Sequence, residues 1–304
     1  MRRFIFVAFL GILSLNLSFS GAFKDLGHGA RAVSLGIPYI AVADNPYAIF
    51  YNPAGIAQLR GFGFASTYSR LYPFVEGENL QYVTLSSVIP VFSFFDFGAG
   101  ITYFKAGLWS ENQFVLSFSG KILKSFYWGG DVKFLRWSAS APPGESGYSY
   151  FGFTFDAGVI LNLSDFIKGS DIRFGFSVKN ITRPSISVNK SDDAKLPIEF
   201  AGAIVYVSRN YNYLVGLGFS RSENNFKVEA GLEILAFTSN FFDKKFELLL
   251  RSSGGFDVKG TSQGSLNPGI GLRYWKFSID YAYVYQFEIP DAGASHKFSI
   301  EFNF

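Results

Sequence analysis

The sequence predicts an all-β protein, a fourteen-stranded antiparallel transmembrane β-barrel with a short N-terminal helical hatch in its lumen. Three observations predict it. Apolar and polar residues alternate over most of the chain, which is the period of a strand with one apolar face. After the first twenty residues no window holds the roughly 18 consecutive apolar residues of a membrane helix. The connections on one side of the predicted strands are longer and more polar than those on the other, an asymmetry of outer-membrane barrels.

The elements follow in chain order. The opening MRRFIFVAFLGILSLNLSFSGAF has a basic start at Arg2 and Arg3, an almost wholly apolar run over 4–17, and small residues at Ser18 and Ser20. This predicts a secretory signal peptide over 1–20, and so placement in the outer membrane of a diderm bacterium. Residues 21–60 do not alternate and form the predicted hatch. Asn45-Pro46 and Asn52-Pro53 each read as a helix start, because Asn caps well and Pro suits the first helical position. A third short helix is expected in GARAVSLG, between Gly29 and Gly36. Three helical turns are too few for a core of their own, and the lumen of a fourteen-stranded barrel is wide enough to take them.

Residues 61–304 are the predicted barrel. Strands are expected near 61–70, 79–89, 95–105, 111–122, 126–138, 148–161, 171–181, 196–207, 211–221, 224–236, 244–255, 266–274, 275–287 and 294–304. The last one shows the pattern plainly: Phe298, Ile300, Phe302 and Phe304 fall on one side, and Ser299, Glu301 and Asn303 on the other. Its terminal aromatics, Phe302 and Phe304, are the expected signal for the barrel assembly machinery. Long polar loops are expected after odd-numbered strands and short turns after even-numbered ones, with 162–170 and 237–243 as longer exceptions. Closure has a physical reason. Lipid offers no hydrogen bonds, so every backbone N–H and C=O must be paired, and a sheet achieves this only without an edge. A secreted β-sandwich or β-solenoid would alternate too, but the aromatic content of 19% exceeds what one such core needs.

Composition excludes several functions. Charged residues make up 17%, against about 25% in an average soluble domain. Cysteine is absent, which excludes disulfides and thiol catalysis. The formal net charge of +3 falls by two when Arg2 and Arg3 leave with the signal, so nothing favours nucleic acid. The two histidines, His28 and His296, are not spaced with a serine and an acid for catalysis, and no cluster has metal-ligand spacing. The chain reads as a non-enzyme without cofactor or metal. Asp192 and Asp193 read as solvated loop charge. The inward charges Lys133, Arg173, Lys179, Lys227, Glu229, Glu233, Asp280 and Glu301 have mixed signs. They are expected to pair with one another or with the hatch, which argues against a strongly ion-selective pore.

The stretch GARAVSLGIPYIAVADNPYAIFYNPAGIAQL resembles the N-terminal signature of FadL-like outer-membrane proteins, in particular the PorV/PorQ-type branch and related barrels. The matching pieces are Gly29-Ala30-Arg31-Ala32, Ala41-Val42-Ala43-Asp44 and Asn52-Pro53-Ala54-Gly55. The resemblance implies a barrel with a luminal hatch, and either passive passage of small hydrophobic or amphipathic compounds or a non-transporting platform for secreted proteins, as in type IX secretion. It implies that Asn52, Pro53 and Ala54 fix the hatch, with Arg31 and Asp44 as hatch-to-wall pairing residues. It also implies a kink or lateral opening in the third strand, at Gly98 and Gly100. Membrane lipids, the assembly machinery and a hydrophobic small molecule are the expected partners. The oligomeric state is not legible.

Overall fold

The computed structural model describes residues 22–92, 95–141, 145–188, 194–210, 212–223, 225–258 and 264–304. The expected signal peptide and the pair Asp192-Asp193 lie outside them. Fourteen antiparallel strands form a closed barrel, each pairing with its sequence neighbours, and the first pairs with the last. They are β1 (Gly63–Leu71), β2 (Leu80–Phe92), β3 (Phe95–Ala106), β4 (Trp109–Leu123), β5 (Phe126–Ala139), β6 (Tyr148–Ile167), β7 (Ser170–Lys179), β8 (Glu199–Ser208), β9 (Tyr213–Ser222), β10 (Asn225–Phe241), β11 (Lys244–Asp257), β12 (Gly264–Tyr274), β13 (Phe277–Gln286) and β14 (Ser295–Asn303). The seam runs from Gly63 opposite Asn303 to Arg70 opposite His296. The end where β1 begins and β14 ends is called proximal, and the opposite end distal.

Alternation sorts the two faces. On β14, Ser295, Lys297, Ser299 and Glu301 are buried in the lumen, whereas Phe298 and Ile300 are more than half exposed on the outside. Large exposed apolar side chains lie on every strand but β5, where Phe134 is stacked between Phe114 and Phe151. Soluble monomers rarely expose a contiguous apolar patch of more than a few hundred Å², let alone a belt that encircles the molecule. No helix among the described residues is long and apolar enough to cross a membrane.

Among the described residues, four proximal connections are two-residue turns: 124–125, 168–169, 242–243 and 275–276. Phe242 and Asp243 both have positive φ, as a type I′ hairpin turn requires. Two expectations are corrected here. Residues 162–170 and 237–243 are not longer loops, because β6 and β10 run on to Ile167 and Phe241 before turning tightly. Each extension contains a slip in the ladder, between Leu163 and Ile167 and between Leu235 and Phe237, and an irregularity of that kind upsets the period of two. Distal loops are not uniformly long either: β3 and β4 join through Gly107 and Leu108 alone.

Residues 22–60 lie inside the barrel. They form α1 (Ala30–Leu35), α2 (Tyr39–Val42), α3 (Ala48–Tyr51) and a 3-10 turn (Pro53–Gln58). α1 sits between Gly29 and Gly36, both at positive φ. Asn52 caps the 3-10 turn by accepting from the Ala54 N–H, with Pro53 next in line. Asn45 does not cap α3, which starts after Tyr47; its Oδ1 accepts instead from the Tyr47 N–H at 3.1 Å. Tyr39, Val42, Ala48, Ile49, Ala54 and Ile56 form the core, against Ala65, Val88, Val115, Ile160 and Val205 of the wall.

Candidate functional site

The candidate site is the filled lumen, which is layered along the barrel axis. At the distal mouth lies a small apolar cluster of Phe23, Leu135, Trp137, Ile186 and Leu196. The 180–198 connection contributes Ile186 and Leu196, which fold inward; the Trp137 indole donates to the Ile186 carbonyl at 2.7 Å and stacks on Trp109 with centroids 4.7 Å apart. The Phe23 N–H donates to Glu111 at 2.7 Å, and so does the Trp109 indole. The start of the described chain thus stands at the far end of the lumen from the start of β1.

Beneath this cluster is a polar layer. Asp25 pairs with Lys179 at 2.9 Å, and Lys133 pairs with Asp156 at 2.8 Å. Lys297 is 2% exposed and donates to the carbonyls of Leu26 and Gly27 and to Ser69. It grips the backbone of the luminal segment from β14. His28 stacks on Phe50 with centroids 4.2 Å apart and lies within hydrogen-bonding distance of Tyr82 and Thr84. Burial pushes its imidazole down to about 3, and Lys179, Lys297 and Lys133 push the same way against the pull of Asp25. It is therefore neutral at pH 7. Burial alone would raise Asp25, but Lys179 and His28 hold its carboxyl well below the usual range.

The apolar core of α1–α3 and the 3-10 turn follows. Glycines on the wall admit it: a Cβ at Gly129 would stand 2.5 Å from the Pro53 carbonyl carbon, and one at Gly158 would collide with the Asn52 amide oxygen. Asn52 is fully buried. Its amide donates to the Ile40 carbonyl at 2.9 Å and to the Val159 carbonyl of β6 at 3.1 Å, so one side chain joins two parts of the segment and the wall. Pro53 and Ala54 pack at this junction and are buried.

A chain of charges crosses from segment to wall below the core. Arg31 donates to Glu233 of β10 at 2.8 and 3.1 Å and also to Asp44. Glu233 accepts from Arg251 of β11, which donates on to Asp280 of β13. Burial works against the charge on Arg31, but Asp44 and Glu233 hold its pKa well above the ordinary value. Arg31 is thus a segment-to-wall tie, whereas the partner of Asp44 is Arg31 itself. Asn45 adds a tie to Glu301 at 2.9 Å. A polar chamber of about 240 Å³ opens beside these groups toward the proximal end, lined by Arg251, Asp280, Glu301 and Asn303 among others.

Gly98 and Gly100, where a kink is expected, also face the lumen. The ladders to β2 and β4 run unbroken past both, and the slip in β2 lies further on, between Pro90 and Phe92. A Cβ at Gly98 would stand 2.8 Å from Ile49, and one at Gly100 would strike Ile49 and Phe50. These glycines make room for α3. His296 faces outward, and its Nδ1 lies 2.7 Å from the Tyr281 hydroxyl. Phe302 and Phe304 sit at the proximal rim, with ring centroids 4.1 Å apart. No group of three or more His, Asp or Glu able to hold a metal exists among the described residues.

Sequence reasoning missed Asp25, Lys297, Arg251 and the Phe23–Trp137 cluster as parts of the site. Lys297 and Arg251 could have been found from the inward parity of their strands. Nothing in the sequence marks Asp25 or Phe23.

No protein-family model matches the chain, and no curated protein matches it. Solved structures do. The chain is similar to a FadL homologue of Pseudomonas aeruginosa, at 12% identity and a TM-score of 0.54 over 86% of this chain and 94% of that one. It is similar to the toluene transporter TodX of Pseudomonas putida, at 11% identity and a TM-score of 0.50 over 88% and 98%. A TodX deletion mutant described as a monoaromatic hydrocarbon channel gives 11% and 0.54 over 92% and 100%. At such identity the likeness is one of fold, that of FadL-type outer-membrane barrels.

Proposed function

We propose that the chain is a passive outer-membrane channel for small hydrophobic or amphipathic compounds, with residues 22–60 as a hatch that closes the lumen and opens by rearrangement. The observation that carries this reading is the filling of the lumen. The barrel interior is occupied by a segment held through separable contacts: Lys297 on the 26–27 backbone, Arg31 on Glu233, Asn52 on Val159. The apolar cluster at the distal mouth gives a hydrophobic compound its first contact. The hydrocarbon cargo in the descriptions of the TodX structures supports the same substrate class. The polar chamber at the proximal end suits water rather than hydrocarbon, so a compound that passes the core meets a wet exit. Asn52, Pro53 and Ala54 serve as the hatch anchor, and Arg31 with Asp44 as its latch.

The test is flux of a monoaromatic compound into liposomes carrying the purified barrel. A disulfide between Ser34→Cys and Gly269→Cys would lock the segment once α1 shifts by about 1 Å, because the Ser34 Cβ lies 2.6 Å from where a Cβ at Gly269 would stand and a disulfide holds its Cβ atoms roughly 3.5–4.5 Å apart. The chain has no other cysteine to interfere. Flux should fall to background on oxidation and return with reductant. The rival reading, a platform for secreted proteins of the PorV type, predicts no flux in either state.

A further inference from the structure

The proximal rim carries an unusual arrangement of charge. Lys244 opens β11, and Trp275 and Lys276 form the neighbouring β12–β13 turn. The two ammonium groups lie 5.5 and 5.3 Å from the centroid of the one indole, and Lys276 also stands 4.5 Å from the ring of Phe304. Neither lysine has an acidic partner among the described residues, although Asp243 is in the same turn as Lys244. Their neighbours differ: Lys245 and Arg273 are both paired with Glu247.

Two like charges over one ring repel each other, and the ring's quadrupole only partly offsets this in water. An anion held by both ammonium groups would offset the repulsion. The surroundings say which kind. Phe242 is 81% exposed, Trp275 52% and Phe304 60%. The β10–β11 ribbon beyond Ile234, where pairing with β9 stops, carries Phe242 and Lys244 at its tip, and its pairing with β12 sets Trp275 beside them. A free anion would leave that aromatic surface in water, whereas a phospholipid covers it with acyl carbons. Aromatic rings settle at the headgroup level of a bilayer, and lysines beside them attract anionic lipid.

We propose that Lys244, Trp275 and Lys276 form a binding site for the headgroup of an anionic phospholipid in the leaflet that the proximal end faces. This rests on the membrane placement in the reading above and not on transport. The test uses the purified full chain in detergent and counts lipids retained in native mass spectrometry. Phosphatidylglycerol and phosphatidylcholine of identical chains are the probes. Phosphatidylglycerol should be retained on the order of tenfold better. The double variant K244Q/K276Q, checked for folding by heat-modifiable gel mobility, should bring the ratio close to one. The control K121Q/K124Q, at the β4–β5 turn, should keep it. No preference in the unmodified protein, a preference that survives in K244Q/K276Q, or equal displacement by inorganic phosphate would each overturn the site. Failure to insert into vesicles of either lipid would instead overturn the membrane placement.

Discussion

Replacing Arg31 by methionine keeps the bulk of the side chain and removes the guanidinium that joins Asp44 to Glu233. Two charge-assisted hydrogen bonds to Glu233 and one to Asp44 are lost. Such bonds are worth about 1.5–3 kcal/mol each when buried. The Asp44 bond counts for less, because its side chain is 34% exposed and solvent screens it. Glu233 is not stranded, since Arg251 still donates to it, so the loss stays below the cost of stripping a buried carboxylate bare. A net weakening of docking by about 3 kcal/mol follows, and local opening becomes roughly 100-fold more frequent, at about 1.4 kcal/mol per tenfold. Hydrogen exchange followed by mass spectrometry reads this directly. Amides of α1 should exchange about 100-fold faster, while the β4–β5 and β5–β6 ladders keep their protection. Arg31→Lys should fall between, because one ammonium cannot fork across two carboxylates. Unchanged exchange in α1 would refute the claim that this tie holds the segment. Equal loss of protection in the strands would refute the claim that segment and wall open separately.

Two further outcomes are expected. His28 is neutral when docked, with its pKa pushed down to about 3, whereas the released segment has an ordinary imidazole near about 6.5. The released form binds more protons between those values, so docking is at full strength above about pH 6.5 and weakens as pH falls, by up to about 1.4 kcal/mol per unit. Exchange of residues 22–29 should accelerate from pH 6.5 downward, after correction for intrinsic rates, and His28→Gln should flatten the response; an identical slope in that variant would rule the histidine out. Asp25, held below the usual range, loses its contribution only below about pH 4, so the two groups act in different windows. Asn52→Asp sets a carboxylate against the Ile40 and Val159 carbonyls that the amide now serves. It should destabilise the 3-10 turn by about 3 kcal/mol or more, and by more than Asn52→Ala, measured as exchange over 52–60.

The barrel was legible because its two faces meet different surroundings, and a period of two records this at every strand. It was least legible where the phase slips. The Leu163–Ile167 and Leu235–Phe237 irregularities made strand read as loop, since after a slip the apolar residues change parity. Arg31 stood out as a charge in an apolar stretch, and Glu233 was on the inward row, but which acid it meets depends on how α1 is turned inside the barrel. The Lys297 grip on Leu26 and Gly27 spans 271 and 270 positions of sequence and touches only backbone, so no side-chain pattern announces it. Ile186 and Leu196 lie in a run of Ser, Pro, Lys and Asp that reads as wetted loop. Only the closure of the mouth over Trp137 turns them inward.

The strand that completes the ring also holds the chain's beginning. Lys297, Ser299 and Glu301 of β14 reach Leu26, Ala30 and Asn45, and the same strand zips to β1, into which that beginning leads. First and last staves are therefore fastened twice, once edge to edge and once through the cork. Ring closure and stoppering support each other thermodynamically, and a barrel stripped of its first sixty residues should come apart first at the β1–β14 joint.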